Sequence, residues 1–278
     1  MKILALLMLG FLFSFAASSL SAQGKAGAPT WKLPFVKGEK VEYDVYFKWG
    51  LLMSRAGKAL FTLDSRQYDG QSAWRYRLLF HTTGLIDKFF SMKDTLSTFF
   101  SPEGHILFSS RNADEGGYYL VDEISFSPSG EETLSHSLRY TRTDTRIDTL
   151  LRSGRCTFDM LGSVMYLRSI DWEHLVPGRE FPLEVVIGRD VVNVRFRYEG
   201  QAIVAPSEKL KYRTRRFTID VYDPAFTQSK AAAEVWIGDD ANHLPIRVRA
   251  KLKIGAAEVY YRSSENLAHP LDCRVEIP

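Results

Sequence analysis

From residue 38 onward apolar and polar side chains alternate one by one, the period that sends successive residues to opposite faces of a β-strand. Val41, Tyr43, Val45, Phe47 and Trp49 alternate with Glu42, Asp44, Tyr46 and Lys48, which predicts a strand with one greasy and one wet face. Trp74, Tyr76, Leu78 and Phe80 stand against Arg75, Arg77 and His81 in the same way. So do Leu134, Leu138 and Tyr140 against Thr133, Ser137 and Arg139, and Val192, Val194, Phe196 and Tyr198 against Asn193, Arg195 and Arg197. The clearest run sets Ile246, Val248, Ala250, Leu252 and Ile254 against Arg247, Arg249, Lys251 and Lys253, predicting a long strand with a cationic outer face. Turn chemistry separates the runs at Asp69-Gly70, Ser101-Pro102-Glu103-Gly104, Ser127-Pro128-Ser129-Gly130, Gly188-Arg189-Asp190 and Gly238-Asp239-Asp240. About thirteen strands follow from this spacing, antiparallel because parallel neighbours would need helical crossovers.

Two segments break the alternation. Residues 84–92, Gly-Leu-Ile-Asp-Lys-Phe-Phe-Ser-Met, read as a helical turn or an apolar loop. Thr157 to Ile170 reads as a helix, with Met160, Leu161, Val164, Met165, Leu167 and Arg168 near helical spacing and Thr157 or Asp159 as N-cap. The expected fold is therefore mainly β: a large antiparallel curved sheet or half-open β-barrel with one principal helix packed on it. A two-sheet sandwich flanked by the helix is the alternative.

The first residues change the picture of where this domain works. Lys2, the apolar run from Ile3 to Ala17, and Leu20-Ser21-Ala22 have the three-part layout of a secretory signal. Cleavage is expected after Ala22, with release into the periplasm and no transmembrane segment in the mature chain. No Cys precedes Cys156 to carry a lipid anchor. Residues 23–30 read as a disordered linker and 31–278 as a single β-rich domain, near the ~200–250 residues over which all-β sandwiches and barrels stay undivided. The composition, 45% hydrophobic and 25% charged, is that of a globular protein with a large core. The formal net charge of +3 is too small for a nucleic-acid footprint. An oxidising compartment would let Cys156 and Cys273 form a disulfide, two buried thiols being the alternative.

The search for chemistry returns little. Neither a Gly-x-Ser-x-Gly elbow nor a Ser-x-x-Lys pair occurs. His81, His105, His136, His174, His243 and His269 lack metal-ligand spacing, and no cofactor motif is present. The adjacent carboxylates Asp114-Glu115, Asp122-Glu123, Glu131-Glu132 and Asp239-Asp240 read as solvated turns. Two clusters remain. Phe89, Phe90, Met92, Met160, Met165 and Tyr166 could line an apolar ligand pocket between helix and sheet, or simply pack the core. Arg195, Arg197, Arg247, Arg249, Lys251 and Lys253, with Arg213, Arg215 and Arg216 beside them, form a cationic face. Such a face blocks edge aggregation or touches an anionic envelope component.

Four stretches stand out together: Gly38-Glu39-Lys40-Val41-Glu42-Tyr43-Asp44-Val45; residues 84–100 with Ser91-Met92-Lys93-Asp94; the helix with Tyr166-Leu167-Arg168; and residues 235–261 with Trp236-Ile237, Leu244-Pro245-Ile246 and Leu252-Lys253-Ile254-Gly255. In these the chain resembles a bacterial family of exported envelope proteins known as domain of unknown function 3108. The resemblance implies export and supplies no catalytic residues. The leading expectation is a periplasmic, non-enzymatic binding or carrier protein for an apolar or amphiphilic envelope component, a lipid or an envelope polymer. A structural or assembly factor docking an outer-membrane protein or anionic polysaccharide is the second reading, and an envelope hydrolase the third.

Overall fold

In the computed structural model, residues 34–207, 210–222, 229–252 and 255–275 are described. The expected signal, its cleavage after Ala22, the linker 23–30, Lys253 and Ile254 lie outside these residues. The elements run β1 (Lys40–Trp49), β2 (Leu52–Tyr68), β3 (Gln71–Thr82), α1 (Gly84–Phe89), β4 (Met92–Phe100), β5 (Ile106–Glu115), β6 (Tyr118–Ser129), β7 (Glu132–Tyr140) and β8 (Thr145–Gly154). They continue with β9 (Thr157–Phe158), α2 (Met160–Ser169), β10 (Glu180–Ile187), β11 (Asp190–Ser207), β12 (Leu210–Tyr222), β13 (Ser229–Gly238), β14 (Pro245–Lys251), β15 (Ala256–Glu265) and β16 (Arg274–Val275). The excess over thirteen strands includes β9 and β16, two residues each and too short to show a period.

All strands belong to one sheet, built from two meanders. In the first, β1 to β8 each pair with the next in sequence; in the second, β9 to β15 do the same. The meanders join where β1 pairs antiparallel with β15, Lys40 opposite Glu265 and Lys48 opposite Ala256. Among the described residues the one parallel pairing is the short contact between β9 and β10. The sheet curls into a nearly closed barrel whose seam lies between the first meander's end and β10. There the Ser137 hydroxyl donates to the Gly188 carbonyl, and Arg139 and Ile147 lie against Gly188 in the β10–β11 turn.

The alternation read from the sequence predicts which residues share a face but not which face turns inward. On β1 and β3 the apolar set is the core set: Val41, Tyr43, Val45, Tyr76, Leu78 and Phe80 are buried. On β7 the sense is reversed. Ser135 and Ser137 are buried and Leu134 and Leu138 are only half-buried, because the inner wall at the seam must admit the β10–β11 turn and bond to it. Trp49 is a second departure. It continues the apolar period of β1 but stands 62% exposed, since the β1–β2 hairpin runs past the end of the core.

Near the barrel end where β1 begins, an aromatic series lines the inner wall. Tyr212 meets Tyr261 at 5.8 Å, Tyr261 meets Tyr43 at 6.3 Å, Tyr43 meets Phe61 at 5.3 Å and Phe61 meets Tyr76 at 5.4 Å. Toward the other end the inner wall carries charge. Arg111, 7% exposed, bonds Asp94 at 2.8 Å and Glu115 at 2.9 Å, while Arg139 bonds Asp122. Asp122-Glu123 is thus not a solvated turn: both residues lie within β6, and the inward Asp122 is neutralised by its cross-strand neighbour Arg139.

Candidate functional site

The sequence between β9 and β10 builds α2 across the barrel end. Asp159 caps it, its carboxylate accepting from Leu161 N at 3.2 Å and Gly162 N at 3.1 Å, as an N-cap side chain should. A third bond, from the Thr98 hydroxyl at 2.7 Å, ties the cap to β4. Burial nevertheless holds the Asp159 carboxyl up at about 6, against the pull of these donors. Leu161, Met165 and Leu167 are buried in the core. At the far end Arg168 enters the barrel wall, and its guanidinium meets both Glu39 oxygens, at 2.7 and 3.0 Å. It also donates to the Asn242 carbonyl at 3.0 Å and lies over the Phe35 ring at 4.3 Å. Burial opposes this charge, yet Glu39 outweighs burial and keeps the guanidinium protonated. The helix is therefore anchored at both ends, to β4 and to the residue preceding β1.

Where α2 stops, the chain turns out through Asp171 and Trp172 and opens a cleft of about 770 Å³. Trp172 and Phe181 form its buried floor, with Tyr166 and Ile170 on the helix side. His174, Arg179, Glu173 and His269 are exposed at its mouth. The floor is held rigidly: Trp172 stacks on His243 at 4.1 Å and meets Phe217 edge-on at 5.6 Å. The Arg215 guanidinium donates to the Trp172 carbonyl and to Asp239. His243 donates from Nδ1 to the Arg168 carbonyl at 2.8 Å, and burial depresses its pKa to about 4, leaving it neutral at pH 7. The Trp172 indole N–H is buried and has no acceptor among the described residues. A hydrophobic floor, a mouth carrying both signs of charge and an unpaired donor beside them can accommodate an amphiphilic molecule. Among the described residues no three His, Cys, Asp or Glu side chains are grouped to hold a metal ion.

The model of a protein family of unknown function, DUF3108, matches residues 42–262. The chain belongs to that family. DUF3108 residues 42–262 take in every strand from β2 to β14 together with α2, so the helix across the barrel end lies within the matched stretch. A beta-barrel-like protein of another domain of unknown function, DUF1849, from Brucella abortus is similar in structure at 11% identity, with a TM-score of 0.55 over 83% of this chain and 98% of that one. At that identity the likeness concerns the fold alone. A chain from Parabacteroides distasonis matches at 8% identity over 85% of this chain and 99% of its own, with a TM-score of 0.34, too loose a likeness to argue from. No curated protein matches.

This DUF3108 chain does not gather the six candidate ligand residues around one space. Met92 and Met165 are packed in the core, and Met160 and Phe90 lie half-buried against it. Phe89 is 87% exposed on α1, at the barrel end opposite the cleft. Of the six, Tyr166 alone lines the cleft. The candidate cationic face is a face of mixed charge: Arg195 pairs with Glu180, Arg197 with Glu199, and both Arg247 and Arg249 with Glu258, which they bury. Arg215 and Arg216 pair with Asp239 and Glu234. Cross-strand register explains most of this: apart from Glu199, two residues from Arg197 on β11, each acidic partner comes from a neighbouring strand or a nearby turn and is invisible in any one run.

The two cysteines are free thiols in this structure, the second of the two alternatives read from the sequence. Cys156 lies beside Tyr166 and Glu184, where burial raises its thiol to about 11; Cys273 lies under Gly238 of β13. Cys156 is held against Glu184 of β10 and Cys273 against Arg213 of β12, so the two thiols lie against different, non-adjacent strands of the sheet. Sequence reading also missed Trp172, His243 and Glu39. A Trp directly after the predicted helix was the available signal for the first; the other two become partners only through the fold.

Proposed function

We propose that this protein is a non-enzymatic binding protein of the cell envelope that holds an amphiphilic small molecule in the cleft beside the C-terminal half of α2. The observation that carries the reading is the cleft itself: an aromatic floor clamped by His243 and Phe217, under a mouth with Arg179 and His174. Its volume lies within the ~300–1,000 Å³ usual for small-molecule sites. The inner side of α2 is taken up by core packing, with Leu161, Met165 and Leu167 buried, so the ligand's place is the outer side of the helix. An oxygen acceptor on the ligand would satisfy the Trp172 indole, a donor whose isolation costs about 1–3 kcal/mol. The envelope location rests on the signal pattern of residues 1–22.

Native mass spectrometry of the protein purified from its own cells, followed by solvent extraction, tests this. A stoichiometric amphiphile that is lost in an Ile170→Glu variant supports the cleft. A ligand-free mass in repeated preparations, with no uptake of added lysophospholipid or fatty acid, overturns it.

A further inference from the structure

The end of the barrel opposite the cleft carries a second surface. Trp49, Leu51, Leu52 and Met53 crown the β1–β2 hairpin, and Leu85 and Phe89 crown α1, with exposures from 47% at Met53 to 102% at Leu51. The two groups are neighbours. Thr83, which precedes α1, donates its backbone N–H to the Ala56 carbonyl of β2 at 3.1 Å, and α1 packs along β2. Four residues of β2 precede that bond, so the hairpin tip stands about 13 Å beyond it. Six large exposed apolar side chains therefore stand on two adjoining projections at one end of the barrel, a concentration of the kind that marks an interaction site.

The charges around the patch select its partner. Lys48 stands opposite Met53, and Lys58, His81 and Lys93 form a cross-strand row on the outer face below α1, which adds Lys88. None of these four lysines is ion-paired among the described residues. Of the nearby acids Asp44 pairs with Arg55 and Arg262, whereas Asp87, bonded to the Thr82 hydroxyl, and Asp114, cross-strand from Lys93, keep their charge, so four lysines face two uncompensated carboxylates and the surround is net positive. Apolar tips ringed by unpaired lysines complement a bilayer bearing anionic headgroups, into which the tips insert while the ammonium groups remain at phosphate level. We infer that the β1–β2 hairpin and α1 together dock this protein on an anionic lipid bilayer. The cleft then faces away from the membrane, the length of β1 from the docking tips. The inference is independent of any ligand in the cleft.

Co-sedimentation of the naturally processed protein with phosphatidylglycerol/phosphatidylethanolamine vesicles, and with phosphatidylcholine vesicles as the neutral control, provides the test. Binding to the anionic vesicles is expected, weakening as salt is raised. Leu51→Ser combined with Phe89→Ser is expected to lower the partition coefficient at least tenfold without altering the melting curve, because both side chains are already in water. Lys88→Gln and Lys93→Gln are each expected to lower it roughly fivefold, the equivalent of ~1 kcal/mol per lysine at an anionic surface. A blue shift in tryptophan emission on vesicle binding is expected to vanish in Trp49→Phe. Ile170→Glu is expected to leave vesicle binding intact, which separates this surface from the cleft. Failure to sediment with anionic vesicles, or undiminished binding by the apolar double variant, overturns the inference. So does sedimentation equilibrium showing that the same double variant dissolves a dimer.

Discussion

Arg168→Met is the most informative single substitution, because it removes one charge of a fully enclosed pair while preserving most of the side-chain volume. Arg168 and Glu39 are each 1% exposed. The change deletes two charge-assisted bonds to Glu39 and the bonds to the Asn242 carbonyl, leaving a carboxylate in the barrel wall with no countercharge. Breaking such a pair from one side costs about 3–5 kcal/mol. For a chain of this length, at 2–4 °C per kcal/mol, that corresponds to a fall in Tm of roughly 6–20 °C. Replacing both partners, Glu39→Met with Arg168→Met, removes the desolvation penalty with the pair, and the loss is expected to shrink to about 1–2 kcal/mol, most of it the unpaired Asn242 carbonyl. Urea titrations followed by tryptophan fluorescence, run on both single variants and the double, give the coupling energy directly. If the double variant loses as much as the two singles added together, the charges do not compensate one another and the account of how α2 is anchored fails.

His243 takes up its proton at about 4 in the folded protein against 6.5 ordinarily. Its stabilising contribution, about 3 kcal/mol, is therefore complete above pH 6.5 and lost as pH falls toward 4. His243→Asn, chosen because φ is +49° there and Asn tolerates that region, is expected to flatten the Tm–pH profile over that window. Asp159 has the opposite sign: it keeps its proton to about 6 when folded against 3.8 otherwise, so its contribution declines as pH rises through that interval. Asp159→Asn, still able to cap α2, is expected to gain stability relative to the native protein as pH is raised from 4 to 6, visible as a growing difference in Tm. At Gly57 a Cβ would lie 2.4 Å from the His81 carbonyl and 2.8 Å from the Phe80 ring. Gly57→Ala is expected to cost at least about 1–3 kcal/mol by forcing β2 and β3 apart, and an unchanged urea midpoint would refute that packing.

The barrel-like β fold was legible because most of its strands are long enough for several periods, and because turns such as Asp69-Gly70 and Gly188-Arg189 fall where the chain reverses. The helix was legible from its spacing, although it begins at Met160 with Asp159 as its cap, while Thr157, the other candidate cap, lies with Phe158 in β9. What resisted reading has a common cause. Alternation does not distinguish inside from outside, so Ser137 and Arg139 on β7 looked like solvent-facing residues. Charges read along one strand looked unpaired, whereas Glu258 is enclosed by Arg247 and Arg249 from the strand beside it. Apolar character at Phe89 and Trp49 said nothing about burial, and both project from the barrel end. The cleft draws Tyr166, Trp172, Phe181 and Ala241 from three separate stretches, and no spacing rule links them.

The two-meander topology sets a schedule for assembly. Every pairing within β1 to β8 joins consecutive segments, so that half can zip up as it is made. The β1–β15 junction between Lys40 and Glu265 cannot form until residue 265 is present. Until the 225 residues that follow Lys40 have been delivered and folded, β1 keeps one edge open. During that interval it is a template for any passing strand, and the exposed charges of Lys40 and Glu42 lie along the edge that most needs to discourage a wrong partner.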